Sequence, residues 1–133
     1  MAQWVSAPRK RILVVDDDPG IVQLIMTRLD VMGHEPRSAK NGLEALSRIS
    51  ELRPVAMILD LNMPLLDGFG VLSRLGREKA NRLPTLVLTA RNKMEDVQMA
   101  VLLGARDFLA KPFEESELLK RVNRLLRRSP TAD

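Results

Sequence analysis

Three consecutive aspartates, Asp16, Asp17 and Asp18, follow the apolar run Ile12-Leu-Val-Val and stop at Pro19-Gly20. Like charges this close repel, and neighbours in one extended segment cannot pair all three at low cost. A cation resolves the conflict. A further aspartate, Asp60, closes a second apolar run, Val55-Ala-Met-Ile-Leu. Hard divalent ions take oxygen ligands, and Mg2+ typically uses one or two carboxylates, several waters and a phosphate oxygen. Taken singly, each aspartate would pass for a turn former or a helix cap. Two acidic run ends brought together make a cation site. Thr89 and Lys111 end two more apolar runs, and a hydroxyl and an ammonium are suitable donors to phosphoryl oxygens. Asp18, beside Pro19, is expected to point away and serve the start of the first helix, where the dipole favours negative charge.

The chemistry needs a scaffold that gathers these ends. Apolar runs of strand length alternate with helix-length amphipathic stretches. The strands are expected at Ile12 to Asp16, Glu35 to Ala39, Val55 to Asp60, Thr85 to Thr89 and Asp107 to Ala110. Two of them are continuously apolar, as strands covered on both faces are. Pro19 opens the first helix and Gly33 closes it; Asn41-Gly42 opens the second, and Arg53-Pro54 ends it. Asp67-Gly68 starts a third, whose exit loop ends at Leu83-Pro84. Asn92 or Lys93 begins the fourth, which Gly104 closes, and the fifth covers Glu114 to Arg128. Five strand-then-helix units predict an α/β fold: a five-stranded parallel sheet, order 2-1-3-4-5, doubly wound with five helices. In that order the first and third strands are neighbours, so Asp16, Asp17 and Asp60 converge at one rim. Thr89 and Lys111 join them there.

Composition bounds the alternatives. The chain has 133 residues, enough for one domain: a flank over 1–9, the domain over 10–128 and a tail over 129–133. The hydrophobic fraction is 45% and the charged fraction 29%, values of a soluble globular protein. No membrane partner is expected, because no window approaches the roughly 18 uninterrupted apolar residues of a span. The amino terminus lacks the apolar stretch of a signal peptide, and without cysteine there is no disulfide, thiolate ligand or thiol nucleophile. A cytoplasmic location is the expectation. The formal charge of +4 raises nucleic acid as a partner, but one Trp, three Phe and no Tyr offer no base-stacking platform. The basic residues near both ends read as solvated surface, and no direct nucleic-acid contact is expected.

The stretches "ILVVDDDP", "NGLEAL", "MILDLNMPLLDGFGVL", "PTLVLTA" and "GARDFLAKPFEESELL" occur in this order across roughly Lys10 to Arg128. As an ordered set they closely resemble the receiver domain of two-component response regulators, a CheY-like, flavodoxin-like fold. The resemblance implies that Asp60 is the phosphoacceptor and that Asp16 and Asp17 form the acid pair. It implies Mg2+ held with Asp60 and the backbone carbonyl of Asn62. It also implies Thr89 as switch hydroxyl, Phe108 as switch aromatic and Lys111 as the phosphoryl-binding lysine, with a cis Lys111-Pro112 peptide. Arg91, two residues beyond Thr89, is expected near the site as a modulator of water access.

On this resemblance Asp60 takes a phosphoryl group from a histidine kinase or a histidine phosphotransfer protein. The signal leaves through the fourth helix, fifth strand and fifth helix, toward a downstream protein not identified by the sequence. The protein is then no conventional enzyme, although it catalyses its own aspartyl phosphorylation and dephosphorylation. A homodimer through that same surface is an implied assembly, which Arg106 and Val97 put in doubt because they depart from the usual charge pattern. Asp107 with Arg128, and Glu117, remain to support part of it. The main alternative is a receiver fragment of a longer DNA-binding transcription regulator. A degenerate receiver is disfavoured because every motif residue is present. A Mg2+-dependent phosphohydrolase needs a general acid two residues after its nucleophile, where Asn62 stands and cannot serve.

Overall fold

A computed structural model of the chain describes residues 9–90 and 93–127. Strand β1 (Arg11–Val15) is followed by α1 (Pro19–Val31), β2 (Glu35–Ala39), α2 (Gly42–Leu52) and β3 (Ala56–Leu59). Then come α3 (Gly68–Leu75), α4 (Arg77–Arg82), β4 (Thr85–Thr89), α5 (Met94–Leu102), β5 (Asp107–Ala110) and α6 (Glu115–Leu126). All strands pair in parallel, in the order β2-β1-β3-β4-β5. The expected sheet is the observed one. Among the described residues, no helix is long and apolar enough to cross a membrane.

Strand alternation divides the core into two layers. Leu13, Val15, Met57, Leu59 and Val87 face α2, α3, α4 and α5, meeting Ala45, Val71, Leu72, Ala80 and Ala100. Ile12, Val14, Ile58, Leu86 and Leu88 face α1 and α6, meeting Ile25, Leu29, Leu118, Val122 and Leu125. The central strands are therefore apolar on both faces, and this is why their sequences run without alternation. A strand with no polar face can place chemistry only at its ends.

The helix starts obey local chemistry. The Asp18 carboxylate accepts from the amides of Gly20 and Ile21, with Pro19 at the first helical position. Asn41 caps α2 through the amide of Glu44, and Asp67 caps α3 through the amide of Gly70. Asp18 thus turns to its helix as its position beside Pro19 suggests. Arg9, assigned to the flank from sequence, is bound to the turn after α1: it pairs with Asp30 at 2.6 Å and donates to the carbonyls of Gly33 and His34.

One expectation needs correction. Five helices are expected and six are present among the described residues, because a short additional helix, α4, forms after Gly76 where an exit loop is expected. Gly76 has φ of 81°, and its amide bonds back to the carbonyls of Leu72 and Ser73, ending α3. The chain then restarts as the short α4, so that Ala80 can enter the core. Smaller differences lie at element ends. Asp16 and Asp60 fall just outside the ladder, yet their amides still bond to the carbonyls of Ala39 and Val15. The fifth predicted helix is α6; it starts one residue later than expected, and Arg128 lies outside the described residues.

Ala80 reaches its place only because Gly104 lies against it. A Cβ on Gly104 would stand 2.6 Å from the Ala80 Cβ, at a φ of 117° that side chains rarely adopt. Gly104→Ala is therefore expected to lower unfolding stability by about 1 to 3 kcal/mol, through strain and overpacking together. Urea unfolding monitored by circular dichroism measures it, and an unchanged midpoint would show that α4 yields freely.

Candidate functional site

Because β1 and β3 are adjacent, the residues after Val15 and Leu59 meet at the carboxyl-terminal rim of the sheet. Asp16 is 2% exposed and Asp60 4%, whereas Asp17 is exposed. One carboxylate oxygen from each of the three lies within 4.8 Å of the others. This is the convergence expected from strand order.

Lys111 follows β5 and reaches across the rim. Its Nζ lies 2.7 Å from Asp16 Oδ2 and 3.7 Å from Asp60 Oδ1. The closer partner is the acid pair rather than Asp60. The other Asp16 oxygen accepts from the Asp18 amide at 3.0 Å, so Asp16 is held at both oxygens. Asp60 has weaker support. Burial pushes its carboxyl up from 3.8 to about 6, and the Asp16 charge adds to the rise. The Lys111 ammonium and the Asn62 backbone amide oppose that rise without cancelling it. A cation placed among the three carboxylates would favour the ionised form, so the donor set fits a hard, oxygen-seeking ion.

The remaining expected residues fall on successive strand ends. Thr89 closes β4 and is fully buried, and its carbonyl accepts from the Lys111 amide at 2.9 Å. Asn62 is exposed, next to the rim in sequence and in space, and its amide bonds to Asp60. Phe108 lies on β5 opposite Val87, half-buried against the layer that holds α5. The Lys111-Pro112 peptide is cis. Arg91 lies outside the described residues.

Two supporting residues escape a reading by sequence alone. Gly68 is known from sequence only as a helix start, yet a Cβ there would stand 2.5 Å from the Asp60 carbonyl oxygen and 2.9 Å from Leu61 Cα. Only a glycine lets α3 begin against the phosphoacceptor candidate's own backbone. The second is Arg121 on α6. It pairs with Asp107 at 2.7 Å and Glu117 at 2.8 Å, and donates to the Phe108 carbonyl at 3.0 Å. Its guanidinium holds the Glu117 carboxyl below the usual carboxylate range, and Glu117 in turn raises Arg121. Asp107 and Glu117 are the acids expected to support a dimer, and here Arg121 already engages both within one chain. An arginine among Lys120, Arg124 and Arg127 gives no sequence signal that it points inward.

A family model described as "Response regulator receiver domain" matches residues 12–123. The transcriptional regulatory protein PrrA of Mycobacterium tuberculosis is 44% identical over 128 residues, which cover 96% of this chain and 54% of PrrA. RpaA of a Synechocystis strain, described as a DNA-binding dual master transcriptional regulator, is 40% identical over 120 residues, 90% of this chain and 50% of RpaA. The chain thus spans about half the length of the curated relatives it matches. Among solved structures, the chemotaxis protein CheY4 of Vibrio cholerae is 33% identical with a TM-score of 0.82, covering 89% of this chain and 99% of CheY4. The regulator TrrA of Thermotoga maritima, solved in complex with Mg2+ and BeF, is 34% identical with a TM-score of 0.78, covering 88% and 99%.

The raised Asp60 carboxyl has a thermodynamic consequence. The folded state holds that proton more tightly than the unfolded state, so stability falls as pH rises from 3.8 to about 6. Asp60→Asn removes this loss. In metal-free buffer the variant is expected to exceed the wild type by about 2 kcal/mol at a pH near 7, with the difference gone below a pH of about 4. Urea unfolding across that range tests it. Equal stabilities at neutral pH would mean that the rim tolerates the Asp60 charge.

Proposed function

The chain belongs to the response regulator receiver domain family, and we propose that Asp60 is its phosphoacceptor, with Asp16, Asp17, Asp60 and the Asn62 carbonyl as the Mg2+ ligands. The observation that carries this reading is the set of three carboxylates within 4.8 Å, two of them buried, with one lysine shared between the buried pair. Bound there, Mg2+ supplies positive charge to a phosphoryl oxygen and offsets the acid pair.

The chain's own groups do the rest. An Asp60 carboxylate oxygen attacks phosphorus; the new P–O bond forms as the P–N bond of a phosphohistidine breaks, and the imidazole leaves with the electron pair. Phosphoryl transfer needs mainly positioning and charge stabilisation, which a rigid rim provides. Burial, with the Asp16 charge adding to it, keeps the Asp60 carboxyl raised before the reaction, when Lys111 leans to Asp16. Once the phosphoryl group is attached, Lys111 lies near enough to turn to its oxygens. Asp60 thereby acts on itself as part of a receiver and not as a conventional enzyme.

Thr89 and Phe108 make up the switch in this reading, with Arg91 modulating water access. A new dianion draws the Thr89 hydroxyl inward, and Phe108 takes the vacated space. The α5–β5–α6 face carries the change to a downstream protein. The phosphodonor is a histidine kinase or a histidine phosphotransfer protein, met in the cytoplasm, and residues 10–128 act as one domain. A homodimer on that face would have to draw Asp107 and Glu117 away from Arg121. A second reading has a specific observation in its favour: PrrA and RpaA are named as transcription regulators and are about twice as long as the matched segment. In that reading the chain is the receiver of a longer DNA-binding regulator, and a continuing reading frame in the coding sequence decides it.

Asp60→Asn is expected to abolish hydroxylamine-sensitive labelling by a small phosphodonor, followed by phosphate-affinity electrophoresis. Labelling at the wild-type rate would place the acceptor elsewhere. Mg2+ is expected to raise the melting temperature by mass action. Asp17→Asn should weaken Mg2+ binding because it removes a direct carboxylate ligand, whereas Asp18→Asn should keep the shift because Asp18 serves α1. The reverse pattern would move the acid pair by one residue.

A further inference from the structure

The pole opposite the acidic rim carries a different chemistry. Two adjoining clefts of about 740 and 720 Å³ share Pro54 and Arg82 there. The second opens where the chain enters β1, β3, β4 and β5, at Lys10, Val55, Pro84 and Arg106, and the first lies beside it between the ends of α2, α3 and α4. Six cations line them: Lys10, Arg53, Lys79, Arg82, Arg106 and Arg127. No acidic residue lines either cleft among the described residues. Arg82 has an ion pair with Glu78 at 3.4 Å, with both side chains largely exposed, and such a pair exchanges readily for another.

A plainer role explains part of the set. Arg53, Arg82 and Arg127 stand at the carboxyl ends of α2, α4 and α6, where the dipole favours cations. Arg106 leads into β5 and also donates to the Asn81 carbonyl in the last turn of α4 at 3.4 Å, whereas Lys10 leads into β1 and has no helix end to serve. The clefts are also apolar underneath, with Ile49, Leu75 and Leu83 in one and Val55, Leu125 and Leu126 in the other. Val55 is 46% exposed although it directly precedes a fully buried strand. Basic rims over apolar floors match a chain that alternates acids with apolar side chains. A phosphate backbone would gain nothing from such floors, and no aromatic residue lines the clefts to stack a base.

We infer that this pole is a docking surface for an acidic polypeptide segment of a partner, its carboxylates meeting the six cations and its apolar side chains seated on the two floors. The surface lies away from Asp60 and does not depend on the chemistry proposed there.

The test uses the full chain and fluorescence anisotropy, with a labelled peptide alternating Glu and Leu as probe. A Glu-Ser peptide and a mixed-sequence DNA duplex serve as competitors. The Glu-Leu probe is expected to bind, and to bind about tenfold or more weakly to Lys79→Glu/Arg82→Glu, to Arg106→Glu/Arg127→Glu and to Val55→Asp. Thermal melts identify any variant that fails to fold, and the other two then carry the comparison. Absence of binding, or equal affinity for wild type and well-folded variants, overturns the inference. So does a Glu-Ser peptide that competes equally, which would mean charge alone, or a duplex that binds more tightly, which would mean a nucleic-acid surface.

Discussion

One ammonium shared between two buried carboxylates is the constraint on which this structure turns. Lys111 satisfies Asp16 closely and Asp60 only at a distance, so the rim holds more negative charge than its fixed cation balances. Burial makes that imbalance matter, since in water the same charges would be screened. The rim is therefore poised to accept positive charge. Asp18, whose charge would worsen the repulsion, is withdrawn into the cap of α1.

The sheet makes such a site attainable. Its central strands spend both faces on the core, so polar residues are expelled to the strand ends, where parallel order gathers them on one side. The Gly68 backbone seals α3 against Asp60, and Gly76 lets the chain break and return Ala80 to the core. Strand ends anchored in this way fix where the residues that directly follow them, Asp16, Asp60 and Lys111, are placed.

Much of this was legible in the residues. Continuous apolar runs reveal strands buried on both faces, and the strand order follows from their alternation with helices. Asp16, Asp17 and Asp60 could then be brought together by topology alone, with Lys111 and Thr89 at neighbouring ends. Other features depend on distances that a sequence does not carry. The short α4 after Gly76 gives no clear signal in the residues, because the positive φ that ends α3 there is a property of the folded backbone. The preference of Lys111 for Asp16 over Asp60 depends on about an ångström of reach. Arg121 resembles its solvated neighbours in type and spacing, and only packing shows it turned toward Asp107 and Phe108.

That last contact bears on how the sheet ends. β5 is an edge strand, and edges with open amides and carbonyls invite a foreign strand to extend the sheet. At Phe108 the amide is taken by the Asp107 carboxylate and the carbonyl by Arg121, so side chains from the same molecule occupy the positions a new strand would use. Recognition of this edge by strand addition is closed at its middle. A protein that reads it must do so through side-chain shape, and the salt link that protects the border from aggregation also dictates the grammar of its recognition.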